Sequence, residues 1–228
     1  MQATATRQKG YKGLPMEGFI ARWYSRIRGT GSQRAAWREQ AARLTAGLPD
    51  GADVLEVAPG PGYFAIELAR LGRFRVTALD ISHTFVELVA EHARQAGVEV
   101  DVRQGDASRM PFADGAFDLI VCQAAFKNFS RPGAAIDEMH RVLRDGGTAV
   151  IQDMWKDAPD AAIRDEVRGM RLGPVNAFMT RQSLVSLRRR AYTREQFARL
   201  AAESAFRGGD IRAEGLGLDV RLTKRGAA

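Results

Sequence analysis

The sequence predicts an α/β fold: a doubly wound, mostly parallel seven-stranded sheet with helices before it and an antiparallel hairpin at its end. From residue 52 onward, short β-branched runs alternate with helical stretches. Regular alternation of this kind is typical of a parallel sheet with helices on both faces. The last two runs are linked only through Gly215 and Gly217. So short a link permits only an antiparallel hairpin.

Two helices are predicted before the first strand. Residues 16–27 place large apolar side chains at helical spacing, and residues 32–48 form a second helix that ends near Gly47 and Pro49. Residues 1–15 have no periodicity and contain several turn-forming residues, so we expect a mobile arm there.

The alternating region divides clearly into strands and helices. Ser82 and Gly97 are suited to begin and end one of these helices. Strands are predicted over 53–58, 73–80, 98–106, 116–124 and 148–154, and the hairpin over 209–224. Helices are predicted over 63–72, 82–97, 131–147 and most of 155–204.

Composition is that of a globular protein with a substantial core, since 45% of the 228 residues are hydrophobic and 27% charged. No apolar run approaches the roughly 18 to 20 residues that span a bilayer, and the N-terminus lacks the apolar stretch of a signal peptide. We therefore expect a cytoplasmic protein without a membrane partner. Cys122 is the only cysteine, which excludes an internal disulfide, and the three histidines are scattered, so no metal is expected.

The net charge of +7 is unevenly distributed and raises the question of a nucleic-acid partner. Residues 1–50 carry +6, residues 51–150 carry −4, and residues 151–228 carry +5. The basic residues are nearly all Arg, with five Lys in the chain. This pattern fits a high-GC genome as well as an RNA groove, and we favour the former, so nucleic acid is not the expected partner.

The most informative stretch is "VLEVAPGPGYF", residues 54–64, where the first strand ends in an acid and a turn follows. Ligands of such sheets bind beyond the carboxyl ends of the strands, where the strand order reverses. Gly60 and Gly62 lack a Cβ, so the backbone can turn sharply and a ligand can lie against it. Glu56 makes this surface negative, which suits an ammonium or sulfonium group and repels a pyrophosphate.

Acids also follow the next two strands. Asp80 stands 24 residues after Glu56, where a carboxylate can accept hydrogen bonds from both hydroxyls of a ribose. Asp106, beside the backbone N–H of Ala107, can accept from an exocyclic amine, and together they can read an adenine edge. The fourth strand ends at Gln123, beside the same pocket.

Four segments in this order and spacing resemble the class I S-adenosylmethionine-dependent methyltransferases, closest to the small-molecule type that includes the ubiquinone and menaquinone biosynthesis enzymes. The segments are "VLEVAPGPGYF", "VTALDIS", "GDASRMPFADGAFDLIVCQAAF" and "EMHRVLRDGGTAVIQD". The resemblance covers about residues 50–155 and the terminal hairpin agrees with it. It implies a Rossmann-like sheet, S-adenosylmethionine as methyl donor, S-adenosylhomocysteine as product and a small-molecule acceptor.

The resemblance also implies roles for individual residues. Glu56 and the turn from Ala58 to Gly62 would hold the methionine part, and Asp80 the ribose. Ile81 would lie against the adenine, Asp106 with Ala107 would read its edge, and Gln123 would face the methionine part or the reacting centre. The expected cofactor-binding residues are thus Tyr24, Glu56, Ala58, Gly60, Gly62, Asp80, Ile81, Asp106, Ala107 and Gln123.

The first motif departs from the family pattern. The family usually has Gly-x-Gly-x-Gly, whereas here Ala58 replaces the first glycine and proline occupies both intervening places. We expect a small shift in cofactor geometry and no loss of binding.

The variable parts of the family flank this core. Residues 1–49 are interpreted as an N-terminal arm and helical cap, and residues 50–228 as the methyltransferase domain, with a helical lid insert at about 155–192. Tyr24, on the first helix, is placed to close over the cofactor, and that helix could also serve a homodimer. For the apolar side chains of the lid, a cavity lining and a plain core role both remain open; they are Met170, Leu172, Phe178, Met179 and Leu184.

A sulfonium methyl group is already activated, so its transfer needs mainly proximity, alignment and exclusion of water. A hydroxyl or acidic carbon acceptor would gain from a general base. The candidate catalytic residues at the open end of the sheet are Lys127, Asn128, Asp153 and Tyr192.

Parts of the sequence also fit three other functions. Gly60 to Ala65 also fits Gly-x-Gly-x-x-Ala of nucleotide-dependent oxidoreductases, but Glu56 faces the place of the pyrophosphate and no Tyr-x-x-x-Lys pair is present. An RNA methyltransferase would suit the basic ends, yet the segment after the fourth strand reads "CQAAFKN". A fold relative that binds the cofactor without methylating remains the third alternative. The acceptor, and whether it is methylated on O, N or C, stays open.

Overall fold

The computed structural model describes residues 10–12, 16–28 and 31–226. Its described strands form one seven-stranded sheet, flanked by eight described α-helices. The strands are β1 (Asp53–Val57), β2 (Arg75–Asp80), β3 (Asp101–Gln104), β4 (Phe117–Gln123), β5 (Leu143–Met154), β6 (Asp210–Glu214) and β7 (Gly217–Thr223). The helices are α1 (Gly18–Arg28), α2 (Gly31–Thr45), α3 (Tyr63–Arg70), α4 (His83–Ala96), α5 (Pro132–Val142), α6 (Asp160–Gly169), α7 (Pro174–Arg190) and α8 (Arg194–Glu203).

The sheet has the order β3-β2-β1-β4-β5-β7-β6. The first five strands of the chain run parallel, while β7 pairs antiparallel with both β5 and β6. The predicted doubly wound α/β fold with a C-terminal antiparallel hairpin is therefore confirmed. The strand order reverses between β1 and β4, where Val57 pairs with Leu79 on one side and Cys122 on the other. A ligand site is expected at the carboxyl end of this pair.

The core lies on both faces of the sheet. One buried cluster packs α5 and α8 against the face that carries Leu55, Ile120 and Ile151. The other packs α2 and α3 against Val54, Val121 and neighbouring residues of the opposite face. The near-continuous burial of β1 and β4 explains why their sequences are apolar runs without alternation.

One predicted boundary is wrong. The helix predicted to continue to residue 147 ends at Val142, and β5 begins at Leu143, which pairs with Phe117. The register between β4 and β5 then shifts before Leu119. Gly147 fits this irregular start because a Cβ there would lie 2.9 Å from the carbonyl oxygen of Arg144. The glycine pair therefore marks a bulge in the strand, which sequence reasoning took for a helix end.

Both predicted caps of α4 are confirmed. The Ser82 hydroxyl accepts from the N–H of Phe85 at 3.1 Å, and Gly97 adopts a left-handed φ of 65°. A third contact was missed by sequence reasoning. Glu17 accepts hydrogen bonds from the N–H groups of His83 and Thr84, which ties the start of α1 to the start of α4.

The apolar side chains expected to line a lid cavity or join the core are mostly exposed. Among the described residues of α7, none is buried. Phe178 and Met179 are 60% and 64% exposed, Met170 and Leu172 are also exposed, and Leu184 is half-buried.

Two further observations concern the chain as a whole. Within the described ranges, no helix combines the length and apolarity that crossing a bilayer requires. The mobile arm expected over residues 1–15 lies outside the described residues, except for residues 10–12.

Candidate functional site

Glu56 lies at the carboxyl end of β1, beside the reversal of strand order, and its side chain is buried. Its Oε2 has no hydrogen-bond partner among the described residues. Burial raises the pKa of Glu56 to about 8, and the charge of Asp80 acts in the same direction, against the N–H of Ala65. A buried carboxylate oxygen without a partner is costly, so a cation or hydrogen-bond donor placed there would be bound favourably.

Asp80 ends β2 and is also buried. Its two oxygens accept from the N–H groups of Ser82 at 2.8 Å and Gly60 at 3.2 Å. Burial nevertheless raises the pKa of Asp80 to about 7. The bond from Gly60 joins the end of β2 to the turn after β1, so the two parts of the predicted site are one unit.

The turn after β1 has three residues in the left-handed conformation, Ala58, Gly60 and Gly62, with φ of 56°, 56° and 78°. A Cβ on Gly62 would lie 2.7 Å from a methyl group of Val89, whereas a Cβ on Gly60 would meet no atom within 4 Å. Gly62 is thus required by packing, and Gly60 faces open space in which a ligand can lie. Ala58 adopts here a conformation that glycine adopts at lower cost.

Asp106 follows β3 and is already hydrogen-bonded. One oxygen accepts from the N–H and hydroxyl of Ser108, and the other accepts from Arg131 at 3.1 Å. Although burial opposes it, these bonds hold the pKa of Asp106 below its ordinary value. Ala107 is half-buried and packs against the core. Asp106 is therefore ionised and accepts hydrogen bonds, as the recognition of an amine requires.

Residues 10–12 lie across this end of the site, which sequence reasoning missed. Tyr11 forms an antiparallel bridge with Phe129, the N–H of Lys12 donates to the carbonyl of Asn128 at 2.7 Å, and the carbonyl of Gly10 accepts from Ser130. The contact is close, because a Cβ on Gly10 would lie 2.7 Å from both Asp106 Oδ2 and Ile81 Cδ1. A lone Gly-Tyr pair in a segment without periodicity gives no sequence signal of such a role.

Tyr11 connects this segment to the cap. Burial raises the pKa of Tyr11, while the charge of Arg190 opposes the shift and Tyr24 and Asp80 add to it. Tyr24 itself packs edge-on against Phe85 at the start of α4, with ring centroids 6.2 Å apart. Tyr24 thus packs at the start of α4, just beyond the carboxyl end of β2.

Two of the predicted catalytic residues form a buried ion pair. Lys127 Nζ lies 2.7 Å from Asp153 Oδ1, and both side chains are almost fully buried. The ammonium also donates to the carbonyl of Ala124, and the backbone N–H of Lys127 donates to Asp153 Oδ2. Sequence reasoning placed both residues at this end of the sheet but did not pair them.

The other predicted residues lie near that pair. Asn128 Oδ1 is buried without a partner among the described residues, and so is Trp155 Nε1. Tyr192 bridges to Trp155 and packs against the ring of Phe126. Burial raises the pKa of Tyr192, and the charge of Asp153 adds to this.

The side chain of Gln123, at the end of β4, belongs to a hydrogen-bonded chain. Its amide donates to Gln152 Oε1 at 3.0 Å, and the same oxygen accepts from Gln40 of α2 at 2.6 Å. Gln152 in turn donates to Asp219. Gln123 is therefore oriented by a hydrogen-bonded chain of three amides and one carboxylate, which joins β4, β5, β7 and α2.

Together these residues make one wall of carboxyl groups and backbone turns at the reversal of strand order. It offers acceptors at Glu56, Asp80 and Asp106 and an open surface at Gly60. Such a wall can hold a molecule that carries a cation, paired hydroxyls and an amine.

Residues 55–151 match the family model described as a methyltransferase domain. The match covers 97 of the 228 residues. The matched segment reaches from β1 to β5 and contains Glu56, Asp80, Asp106 and Lys127. The chain is also 34% identical over 128 residues to a demethylmenaquinone methyltransferase of Deinococcus radiodurans, an alignment that covers 56% of this chain and 52% of the relative. The chain thus spans about half the length of that relative.

Solved structures agree with the fold. A crystal structure assigned as an S-adenosyl-L-methionine-dependent methyltransferase of Methanococcus maripaludis superposes with a TM-score of 0.71 at 20% identity, covering 95% of this chain and 97% of the other. The [4+2]-cyclase SpnF superposes with a TM-score of 0.50 at 26% identity, covering 68% of this chain and 54% of the other. The first of these superpositions extends well beyond residues 55–151, so the similarity of fold includes the flanking segments.

Proposed function

We propose that the protein is a methyltransferase that uses S-adenosylmethionine and transfers its methyl group to a small molecule. The observation that carries this proposal is the buried Oε2 of Glu56, which has no partner among the described residues and lies beside Asp80 at the reversal of strand order. A cofactor with an ammonium or sulfonium group fits that atom, whereas a dinucleotide does not. The match of residues 55–151 to a methyltransferase domain supports the same conclusion.

The residues present fit the cofactor. Glu56 and the turn from Ala58 to Gly62 would hold its methionine part, Asp80 its ribose, and Ile81, Asp106 and Ala107 its adenine. When bound, S-adenosylmethionine supplies a methyl group that is activated by the positive sulfur. The chain then has to orient the acceptor, exclude water and stabilise the cation of the cofactor. Residues 10–12 and Tyr24 are placed to exclude water from the adenine side.

The acceptor side is formed by the ends of β4 and β5. The Lys127–Asp153 pair fixes the segment after β4, and it leaves Asn128 Oδ1 and Trp155 Nε1 as buried polar atoms without described partners. We infer that these two groups orient the acceptor, with Tyr192 beside them. Lys127 and Asp153 then act as positioning residues, because their charges are already used in binding each other.

The proposed domain division, cellular location and oligomeric state are those expected from the sequence. We infer a cap over residues 1–49 and a methyltransferase domain over residues 50–228 with a lid at about 155–192, in a cytoplasmic protein that can form a homodimer. The basic charge lies in the cap and lid rather than around the carboxyl wall, so we do not propose a nucleic-acid acceptor.

A second function is supported by one comparison. The [4+2]-cyclase SpnF shares the fold, so a protein of this shape can catalyse a rearrangement. In that case the cofactor would bind at Glu56 and Asp80 without donating its methyl group.

The first test is calorimetric titration with S-adenosylmethionine, S-adenosylhomocysteine and NADPH, for the wild type and for Asp80→Asn. We expect micromolar binding of the first two ligands, at least about tenfold weaker in Asp80→Asn because the ribose hydroxyls lose a carboxylate acceptor. Titration at pH 7 in buffers of different ionisation enthalpy should also show proton release, since a bound cation favours ionised Glu56.

Asp101→Asn is the matched control, because Asp101 lies on the exposed strand β3 away from the wall. It should bind like the wild type. NADPH binding in place of the other two ligands would refute the proposal. Cofactor binding followed by conversion of an acceptor without formation of S-adenosylhomocysteine would favour the rearrangement.

A further inference from the structure

The lid helix α7 carries an outward apolar stripe that the proposed function does not use. Val175, Phe178 and Met179 recur at helical spacing and are 72%, 60% and 64% exposed. The opposite side of the helix holds its half-buried residues, among them Ala177, Leu184 and Leu187. The stripe therefore points away from the body of the protein. Exposed apolar patches of this kind mark interaction surfaces.

Along α7 and the segments next to it in sequence, the charged residues are all basic. Between Glu166 and Glu195 the chain has no acidic residue and seven arginines. These arginines are Arg168, Arg171, Arg181, Arg188, Arg189, Arg190 and Arg194. Arg168 and Arg188 pair with Asp165 and Asp160. For the others, the described residues offer no carboxylate within ion-pair distance.

The cap helix α1 repeats the pattern. Phe19, Ile20 and Trp23 are exposed, whereas Ala21 and Ser25, on the other side of the helix, are buried. Residues 18–38 contain five arginines and no acid. The two helices border the same end of the sheet. Tyr192, two residues after α7, bridges to Trp155 just beyond the carboxyl end of β5, and Glu17, just before α1, binds the start of α4 just beyond β2.

We propose that α7 and α1 dock the protein on an anionic lipid surface, with the exposed apolar side chains inserted at the level of the headgroups. Apolar residues flanked by arginine without acids suit such a surface, because insertion and attraction to anionic lipid add together. A second copy of the chain is a poorer occupant, since a two-fold contact would bring arginine against arginine. The expectation of no membrane partner considered spanning segments only, and surface docking needs none.

Docking on lipid would place the open end of the sheet against the bilayer, so that an apolar acceptor could enter from the membrane. The docking itself does not depend on the proposed function, because vesicle binding is measured without cofactor or acceptor. If either the lipid docking or the proposed function is refuted, the other can therefore still be tested.

The experiment is cosedimentation of the full chain with vesicles of phosphatidylglycerol or of phosphatidylcholine. We expect binding to phosphatidylglycerol that weakens with salt, and much weaker binding to phosphatidylcholine. Phe178→Ser/Met179→Ser should weaken binding at least about tenfold through lost insertion. Arg181→Gln should weaken it about fivefold. Arg199→Gln, the same charge change on the exposed face of α8, should have almost no effect.

Unchanged thermal unfolding midpoints would show that the variants are folded, as their exposure predicts. The proposal is overturned if the wild type does not bind phosphatidylglycerol, or if Arg199→Gln weakens binding as much as Arg181→Gln. It is also overturned if Phe178→Ser/Met179→Ser binds vesicles normally and instead abolishes a dimer seen by sedimentation equilibrium, since α7 would then be a contact between two copies.

Discussion

Glu56 shows how a binding site is maintained at a cost to stability. A carboxyl group buried without a partner for one oxygen weakens the fold, and protonation relieves the cost only while the pH lies below its raised pKa. Asp80 has the same property to a lesser degree, because two backbone N–H groups already bind it. Burial of both carboxyl groups becomes favourable once a cation and hydroxyl groups are bound beside them. The ligand and the fold therefore depend on the same two residues.

This cost gives a prediction for Glu56→Gln. The folded pKa of Glu56, about 8, lies above the ordinary 4.5. Between these values the folded state holds a proton that the unfolded state has lost, so this contribution to stability falls as the pH rises from about 5 to about 8. The Glu56→Gln variant lacks this contribution, so from pH 5 to pH 8 its free energy of unfolding should rise relative to that of the wild type by about 3 to 4 kcal/mol. Urea unfolding at pH 5 and pH 8 measures this, and parallel pH profiles for the two proteins would contradict it.

The Lys127–Asp153 pair gives a second prediction. Lys127→Met leaves Asp153 buried without its cation, and we expect a loss of about 3 to 5 kcal/mol in the free energy of unfolding. Lys127→Met/Asp153→Asn removes both charges but keeps an acceptor for the backbone N–H of Lys127, so it should recover at least about 2 kcal/mol of that loss. Urea unfolding compares the two variants. A stable Lys127→Met protein that binds cofactor but does not turn over would instead identify Lys127 as a catalytic residue.

At the scale of elements, the turn between β1 and α3 contains one glycine that packing requires, Gly62, and one that faces the proposed ligand, Gly60. Gly62→Ala combines a left-handed φ with a Cβ close to Val89, and should cost about 3 kcal/mol of stability. Gly60→Ala has the same backbone strain but open space, and should cost only about 1 kcal/mol while weakening cofactor binding. Urea unfolding and calorimetry separate the two effects.

A double mutant controls for the clash at this turn. Val89→Ala removes the contacted methyl groups, so Gly62→Ala/Val89→Ala should be less destabilised than the sum of the single variants by at least about 1 kcal/mol. Additive losses would mean that backbone conformation alone requires glycine at position 62. Equal losses for Gly60→Ala and Gly62→Ala would lead to the same conclusion.

Strand-end chemistry was predictable from the sequence, because each acid follows an apolar run and parallel strands bring their carboxyl ends together. Glu56, Asp80 and Asp106 accordingly lie at or just beyond the carboxyl ends of three neighbouring strands, and Lys127 and Asp153 lie at the same end of β4 and β5. The start of β5 was not predictable, since Leu143 to Gly147 continues a helical pattern and only the pairing of Leu143 with Phe117 decides otherwise. The contact of Gly10 with Asp106 joins positions 96 residues apart in sequence, and no local pattern encodes it.

The exposure of α7 also could not be predicted from a local sequence pattern. Its apolar residues are spaced as in a packed helix, and the sequence does not show whether a neighbouring element covers them. Whether such a stripe is core, cavity lining or outer surface is decided by the rest of the fold. The molecule thus combines a well-packed sheet with a helix, α7, that contributes little to the core.

This division predicts the pattern of amide hydrogen exchange over the whole molecule. Strands β1 and β4 are buried on both sides, whereas none of the described residues of α7 is buried, so amides of α7 should exchange at least about a hundredfold faster than those of β4. S-adenosylhomocysteine should slow exchange in the turn after β1, around Asp80 and Asp106, and in residues 10–12, because those segments border the proposed ligand. It should leave β6 and α7 unchanged, while phosphatidylglycerol vesicles should protect α7 and α1 instead. Mass spectrometry of peptic fragments measures both responses, and protection of α7 by the nucleoside alone would mean that the lid closes on the cofactor and does not serve lipid.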